Sequence, residues 1–301
     1  YKKILLLLSV NFWEDYRMNT NLINNKSFFI IAHWSDIHLN SKNSFYSNTI
    51  NVEKKLRAAV NHLNKTTPLP DVLIITGDLV DYPTLDEYKL FRLIMDDLVI
   101  PYYVIPGNHD NRGMVYDIFQ DLGYFDNENT CINYAIDDFP VKLIGFDTVS
   151  DSVETDRHGG YEAEVSDFKI SWLKSELNKN KTKPTIVFMH HQPKFTRIGS
   201  LKNEVFLGVN KLERVIQDNK QIEAILCGHL HRHIQFQWGG TTVQVAPSLS
   251  VGRTLTLDNN MKKEYISEPT GSLIYLYSSE LGLICHTDFF GKYEGYSYKM
   301  I

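Results

Sequence analysis

The sequence predicts an α/β protein built from strands that alternate with helices. Short runs rich in β-branched and other apolar residues have the length of buried strands, and the segments between them place apolar residues at helical spacing. A polar cluster or a glycine ends most of the runs. This order is typical of βαβ units with a buried sheet and right-handed crossovers.

The first half of the chain contains three predicted strands and two predicted helices. Residues 28–32 form an apolar run that opens into the loop Ser35-Asp36-Ile37-His38. The segment Val52–Leu63 carries apolar residues on one helix face, which predicts a helix. The remaining elements are a strand at residues 72–76, a helix at about residues 84–98 and a strand at residues 102–105.

The second half predicts two strand pairs, a hairpin and two further helices. The first pair lies at residues 131–136 and 141–146, and the last at residues 273–277 and 283–287. Gly239-Gly240 separates two short runs, at residues 234–238 and 242–245, which is the pattern of a two-residue hairpin turn. The helices are predicted at residues 165–177 and 209–216, and they lead to strands at residues 185–189 and 222–227.

We expect one domain over residues 28–301, with residues 1–27 as an extension outside its core. Neither an internal repeat nor a low-complexity linker interrupts this range. The chain of 301 residues carries 31 basic and 36 acidic side chains, a net charge of −5. This balance argues against a protein that holds a nucleic-acid polymer by bulk charge. A negatively charged substrate therefore needs a local positive centre.

The sequence predicts a cytoplasmic protein without a membrane span. Cys131, Cys227 and Cys285 are too few and too far apart for a disulfide framework or a cysteine zinc site. The apolar run at residues 4–8 is much shorter than a membrane span, and no small-residue cleavage site follows it. The chain begins with Tyr1, so upstream residues and secretion stay open.

Polar clusters with metal-ligating side chains follow five of the predicted strands. Ligands of α/β sheets bind at the carboxyl ends of the strands, so clusters distant in the chain can converge there. Imidazole and carboxylate ligands suit zinc, iron and manganese. In extended backbone, Asp36 and His38 would lie on one side and serve one ion, as would His229 and His231. The clusters are Asp36-Ile37-His38, Gly77-Asp78, Gly107-Asn108-His109-Asp110, His190-His191 and Gly228-His229-Leu230-His231.

Each cluster has a plainer interpretation when it is taken alone. Asp-x-His arises about once by chance in a chain of this length, Gly-Asp is commonly a turn, and Asn-His-Asp is also a helix cap. Only the ordered set of five clusters is specific for a metal site. Gly77, Gly107 and Gly228 support it, because a residue without a side chain lets the backbone turn sharply and approach an ion.

In this order the clusters resemble the calcineurin-like metallophosphoesterase superfamily, and most of all its bacterial class III cyclic-nucleotide phosphodiesterases. The similarity spans roughly residues 28–291. It implies a four-layer αββα sandwich with two metal ions, manganese, iron or zinc, at the strand ends, and with His109 as the catalytic histidine. It implies Asp36, His38 and His231 as ligands of the first ion, Asn108, His190 and His229 as ligands of the second, and Asp78 as the bridge.

The implied enzyme is a metal-dependent phosphoric diester hydrolase, and the expected substrate is a 3',5'-cyclic nucleotide such as cAMP. Two divalent ions, two aspartates and a hydroxide leave about one positive charge, which attracts a phosphodiester anion. Metal coordination makes hydroxide available near neutral pH, and His109 stabilises or protonates the leaving oxygen.

Three alternatives to a cyclic nucleotide phosphodiesterase stay open at this point. A glycerophosphodiester, another phosphodiester or a phosphomonoester is an alternative substrate, because the metals recognise phosphate rather than the leaving group. A non-catalytic interaction module is less favoured, since no ligand position is missing. A nuclease for long DNA is also less favoured, since no basic loops stand out.

Several neighbouring residues have two interpretations. Asp81 and Asp110 either orient ligands or cap the helices that follow them. Arg112 either helps to form the site or makes a surface ion pair. His233 either lines the mouth of the site or lies on the hairpin surface, and strand alternation predicts that His191 faces away from the metals.

The substrate pocket is expected to involve residues 148–161 and 194–205. Within or near these segments, Phe195, Phe206 and Tyr161 are candidates to stack on a base. The expected partner is a small phosphodiester. The tyrosine-rich C-terminal tail either packs across a sheet edge or mediates a homodimer contact, and the sequence does not choose between them.

Overall fold

Two mixed β-sheets form the centre of the protein. They are seen in a computed structural model that describes residues 28–40, 50–125, 131–151, 163–198, 205–257, 264–291 and 293–294. The predicted extension, Tyr161 and most of the C-terminal tail lie outside these ranges. The first sheet has the strand order β15-β14-β1-β2-β3 and the second the order β10-β11-β9-β7-β5-β4.

The first sheet combines a parallel half with an antiparallel hairpin. Strands β1, β2 and β3 are parallel and alternate with helices α1 and α2, while β14 runs antiparallel to both β1 and β15. The helices are α1 (Val52–Leu63), α2 (Leu85–Met95) and α3 (Arg112–Phe119), which follows β3. The strands are β1 (Phe29–Trp34), β2 (Val72–Ile75), β3 (Tyr102–Val104), β14 (Gly271–Ser278) and β15 (Gly282–Phe289).

The second sheet is parallel at its centre and antiparallel at its edges. Strands β5, β7, β9 and β11 are parallel, and β4 and β10 pair antiparallel to β5 and β11. Helices α4 (Asp167–Lys179) and α5 (Val209–Gln217) connect β5 to β7 and β7 to β9. The strands are β4 (Tyr134–Ile136), β5 (Lys142–Gly145), β7 (Thr185–Phe188), β9 (Ile222–Cys227), β10 (Ile234–Trp238) and β11 (Thr241–Val245).

Four two-residue strands make two small additional pairs. Strand β6 (Ala163–Glu164) pairs with β8 (Phe206–Leu207), and β12 (Gly252–Arg253) pairs with β13 (Tyr265–Ile266). Sequence periodicity predicts none of them, because two residues are too few to show alternation.

The layers agree with the predicted four-layer αββα sandwich. Helices α1 and α3 contact α2, α4 contacts α5, and β9 of the second sheet contacts β15 of the first. All residues of β2 and β7 are buried, as expected for parallel strands that are covered on both faces. None of the helices in the described ranges has the length and apolar character needed to cross a membrane.

The strongest sequence patterns predicted their elements to within a residue. Helix α1 matches because its apolar positions recur without interruption and Asn51 caps it by accepting from the backbone N–H of Lys54. The Gly239-Gly240 hairpin is also confirmed, with φ of 61° and 83° at the two glycines. Helix α3 was anticipated only through the capping interpretation of Asp110 and was given no range, because its eight residues bury only Val115 and Phe119.

His33 on β1 is a buried titratable group of the first sheet. Its Nε2 lies 2.9 Å from the Thr76 hydroxyl, and its Nδ1 lies 3.3 Å from that of Tyr275. Burial lowers the pKa of His33 from 6.5 to about 3. As the pH falls from about 6.5 to about 3, the unfolded chain therefore binds a proton that the folded chain does not, and stability falls.

We expect His33→Gln to make the free energy of unfolding less sensitive to acid. Through His33 alone the parent protein loses up to about 1.4 kcal/mol per pH unit in this window. Glutamine keeps a polar group near Thr76 but does not titrate. Urea unfolding of both metal-free proteins at about pH 7 and about pH 5 measures the difference. An identical loss of stability in the two proteins would contradict the expectation.

Candidate metal centre

The five polar clusters converge at the carboxyl ends of strands from both sheets. Strands β1, β2 and β3 lead to the first three clusters, and β7 and β9 lead to the other two. Asn108 is partly exposed, and the other six predicted ligands are almost completely buried. These six are Asp36, His38, Asp78, His190, His229 and His231.

The first group consists of Asp36, His38, Asp78 and His231. Nε2 of His38 lies 3.0 Å from Nε2 of His231 and 3.4 Å from Oδ2 of Asp78. Nε2 of His231 lies 3.3 Å from Oδ1 of Asp36. All four residues offer a donor atom within 4.8 Å of the others. Two oxygen and two nitrogen donors at such distances suit a first-row transition metal.

The second group lies on the other side of Asp78. Oδ1 of Asn108 lies 3.0 Å from both Nε2 of His190 and Nδ1 of His229. Nε2 of His190 lies 3.4 Å from Oδ2 of Asp78, the same oxygen that approaches His38. One carboxylate oxygen thus adjoins both groups, which is the position that a bridging ligand needs.

Two main-chain carbonyl groups orient the imidazole rings. The carbonyl oxygen of Thr76 lies 2.7 Å from Nδ1 of His190, and that of Val251 lies 3.0 Å from Nδ1 of His231. A carbonyl oxygen only accepts, so each Nδ1 carries a proton, and Nε2 is the ring nitrogen that faces the cluster. Sequence reasoning did not find these contacts, because a main-chain carbonyl has no residue signature.

The buried carboxylates stay ionised and require positive charge nearby. Burial acts to raise the pKa of Asp78, but His190 and the other imidazoles hold it well below its usual value. Burial acts to lower the pKa of His190, but Asp78 and Asp36 raise it to about 10. Divalent ions supply positive charge without a proton, and the nitrogen and oxygen donors fit them.

Five of the predicted ligands have left-handed backbone. Non-glycine residues rarely adopt positive φ, and the strain it carries is concentrated at functional sites. The backbone at Asp36 and His38 is therefore not extended, although both side chains lie in the first group. Backbone hydrogen bonds hold the turn: Asp36 N–H donates to the Gly77 carbonyl, and His38 N–H donates to that of Asp78. The five residues, with φ between 48° and 73°, are Asp36, His38, Asp78, His229 and His231. The expectation that His229 and His231 serve one ion is wrong, because His231 lies in the first group and His229 in the second.

Glycines allow the chain to pass close to these side chains. A Cβ on Gly107 would lie 2.2 Å from Oδ1 of Asp78, and one on Gly228 would lie 1.8 Å from the Ser35 hydroxyl oxygen and 2.8 Å from Oδ2 of Asp36. These contacts agree with the close backbone approach predicted at both glycines.

We expect Gly228→Ala to lower both metal content and thermal stability. The added methyl group must displace Ser35 or the Asp36 carboxylate, and overpacking costs about 1–3 kcal/mol. Gly113→Ala is the matched control, because Gly113 lies in helix α3 and a Cβ there meets only the Asn111 side chain, at 3.3 Å. Elemental analysis and thermal unfolding of both variants measure the effects. Full metal content in Gly228→Ala would contradict the expectation.

His109 lies at the exposed side of the cluster, with 29% of its side chain accessible. Its backbone N–H donates to Oδ1 of Asp78. Nδ1 lies 3.1 Å from the carbonyl oxygen of Asp81 and 3.7 Å from its carboxylate, so the ring donates through Nδ1. Its Nε2 is therefore the nitrogen left to face a substrate.

Asp81 and Asp110 orient site residues rather than cap helices. The N-caps of α2 and α3 are Thr84 and Asn111, so the capping interpretation is wrong for both aspartates. Oδ2 of Asp110 accepts from the backbone N–H of Gly107, and Oδ1 of Asp81 lies 3.6 Å from Nδ1 of His38.

Arg112 and His233 contact neither group. Arg112 makes ion pairs with the buried Asp147, at 2.5 Å, and with the exposed Asp151, at 3.0 Å, which agrees with the ion-pair interpretation. His233 is exposed, and its Nε2 lies 3.2 Å from Oε1 of Gln244 on strand β11. This contact agrees with a position on the hairpin surface.

His191 lies closer to the cluster than predicted. One of its ring nitrogens lies within 4.8 Å of donor atoms of His190 and His229. The prediction that it faces away is wrong, because β7 ends at Phe188 and strand alternation does not extend to the histidine pair.

The family model described as calcineurin-like phosphoesterase matches residues 29–233. The chain belongs to this family. Family membership confirms the resemblance and the fold that the ordered clusters predicted. It also makes the two groups around Asp78 a candidate dimetal site.

Three known proteins illustrate the range of the similarity. The "Probable glycerophosphodiester phosphodiesterase GpdQ" of Arcobacter nitrofigilis is 35% identical over 88% of this chain and 95% of its own. A 3',5'-cyclic-nucleotide phosphodiesterase of Nostoc is 28% identical over 71% of this chain and 76% of its own. A dimetal phosphatase structure from Danio rerio has 12% identity and a TM-score of 0.58, and the match covers 87% of this chain and 99% of that one. This last similarity concerns the fold alone.

Proposed function

We propose that the metal centre consists of the seven predicted ligands and that its substrate is a glycerophosphodiester. The enzyme itself is a metal-dependent phosphodiester hydrolase, as its family and its relatives indicate. The main support for this site assignment is that one oxygen of Asp78 lies 3.4 Å from a histidine nitrogen of each group. Asp36, His38 and His231 would hold one ion, and Asn108, His190 and His229 the other.

The donor set explains why this centre attracts a phosphodiester in an acidic protein. Two ionised carboxylates, one neutral amide and four imidazoles carry two negative charges, fewer than two divalent ions bring. Asn108 in place of a third carboxylate keeps the local charge positive. When bound, the ions supply Lewis acidity to the phosphoryl group and lower the pKa of water.

His109 is proposed as the catalytic residue that acts on the leaving oxygen. The backbone carbonyl of Asp81 holds its Nδ1, so Nε2 is the nitrogen proposed to act on the substrate. The carboxylate of Asp81 lies 3.7 Å from the same Nδ1. A proton on Nε2 can pass to the departing alkoxide as the phosphorus–oxygen bond breaks.

The comparisons favour a glycerophosphodiester over cAMP as the first substrate to test. The GpdQ relative is more similar to this chain, and aligned over more of it, than the cyclic-nucleotide relative. A 3',5'-cyclic nucleotide stays the second candidate, because several relatives carry that activity in their names. Zinc, manganese and iron all fit the donor set.

We expect hydrolysis to require added metal and to be lost in Asn108→Ala. The assay removes metal with EDTA, adds back manganese, iron or zinc, and follows glycerophosphoethanolamine, cAMP and bis(p-nitrophenyl) phosphate. Loss of one ligand should reduce the rate by at least the roughly 10- to 100-fold that loss of an outer-shell partner costs. Asn61→Ala, at an exposed position of α1, should retain full activity. A folded, metal-loaded protein that hydrolyses none of the three esters would refute the proposed function.

We expect His109→Ala to slow the hydrolysis of esters with poor leaving groups more than that of esters with good leaving groups. An alkoxide needs a proton when it leaves, so hydrolysis of glycerophosphoethanolamine should fall by about 100- to 10,000-fold. The p-nitrophenolate of bis(p-nitrophenyl) phosphate leaves without one, and its release should fall much less. His286→Ala, on the exposed surface of β15, is the matched control. Equal losses for both esters would show that His109 is not the general acid.

A further inference from the structure

The hydroxyl group of Tyr88 joins helix α2 to the loop that follows strand β3. It donates to Oδ1 of Asp110, at 3.0 Å, and accepts from the backbone N–H of Asn111, at 2.9 Å. Tyr88 is completely buried, and its ring belongs to the hydrophobic core. The hydroxyl therefore fixes the end of the loop that carries Asn108 and His109.

Two aspartates link this loop to the loop that carries the Asp78 carboxylate. The backbone N–H of His109 donates to Oδ1 of Asp78 at 2.8 Å. In the opposite direction, the backbone nitrogen of Leu79 lies 3.2 Å and 3.1 Å from the two carboxylate oxygens of Asp110 and donates to them. Each loop thus supplies an aspartate that accepts from the backbone of the other. The separation of Asp78 from Asn108 depends on both contacts.

The direction of the Asp110 carboxylate is set from helix α2. Its Oδ2 also accepts from the backbone N–H of Gly107, at 2.9 Å, so one carboxylate holds N–H groups of both loops. The geometry of a site is most precise when its supporting side chains are themselves held by packing and hydrogen bonds. Tyr88 meets this condition, because its ring is enclosed in the core while its hydroxyl reaches Asp110.

We propose that Tyr88 is a positioning residue of the metal centre, which acts through Asp110 on the spacing between Asp78 and the loop that carries Asn108 and His109. The inference rests on the metal ligands of the proposed function, and it does not depend on which diester is the substrate. Loss of a partner that orients metal ligands costs about 10- to 100-fold in metal affinity or activity.

Tyr88→Phe removes the hydroxyl and keeps the ring in the core. We expect the variant to bind the second equivalent of Co²⁺ about 10- to 100-fold more weakly than the parent protein does. Titration of the metal-free proteins, followed by the visible absorption of Co²⁺, measures this affinity, and thermal unfolding measures stability.

Tyr134→Phe is the matched control for the loss of a buried hydroxyl. Tyr134 is also completely buried, and its hydroxyl donates to the carbonyl oxygen of Val104 at 2.6 Å. We expect this variant to lose stability while it retains the Co²⁺ affinity of the parent. If Tyr88→Phe binds Co²⁺ as tightly as Tyr134→Phe does, the Tyr88 hydroxyl is merely structural and the proposal is overturned.

A double variant tests whether Tyr88 acts through Asp110. Asp110→Asn keeps the size of the side chain but replaces one of the two oxygens that accept from the loops. We expect Tyr88→Phe to lower the Co²⁺ affinity no further in the Asp110→Asn background, because residues that act through one contact are not additive. Two fully additive losses would overturn the proposal.

Metal binding and hydrolysis distinguish this inference from the proposed function. If the parent protein binds two Co²⁺ ions, Tyr88→Phe weakens the second and the parent hydrolyses no diester, the proposed function fails and the positioning role stands. If the parent hydrolyses a diester and Tyr88→Phe retains its full rate and Co²⁺ affinity, the proposed function stands and the positioning role fails.

Discussion

The position of the Asp78 carboxylate is the constraint on which the metal centre depends. One of its oxygens lies 3.4 Å from an imidazole nitrogen of each group, and the other accepts the backbone N–H of His109. Burying this charge is unfavourable unless positive charge lies beside it. The imidazoles on both sides and the proposed ions meet that need. The same residue therefore joins the two groups to each other and to the proposed catalytic histidine.

The fold satisfies this constraint because loops from the two sheets meet around Asp78. Strands β1, β2 and β3 supply four of the proposed ligands, and β7 and β9 of the other sheet supply three. Main-chain carbonyls orient two of the rings, and left-handed turns bring Asp36 and His38 into one group but His229 and His231 into different groups. The strain in these turns is offset by the rigid strands that precede them and by the backbone hydrogen bonds that close them.

Much of this could be predicted from the sequence, because the informative features were residue types and their spacing. Apolar runs located the central strands, helical spacing located α1, and the five clusters contained every residue of the two groups. Local backbone geometry could not be predicted, since nothing in Asp36-Ile37-His38 distinguishes a left-handed turn from an extended segment. The position of His191 was missed because strand alternation was applied beyond the end of β7. The carbonyls of Thr76 and Val251 were missed because any residue supplies one.

The origin of the ligands in both sheets has a consequence for how the centre fails. Each group combines side chains from the two sheets: His231 joins Asp36 and His38, while His190 and His229 join Asn108. A displacement of one sheet relative to the other would therefore change contacts in both groups, because each group spans the two sheets. The two proposed ion sites are therefore coupled, because a movement that disturbs one would also disturb the other.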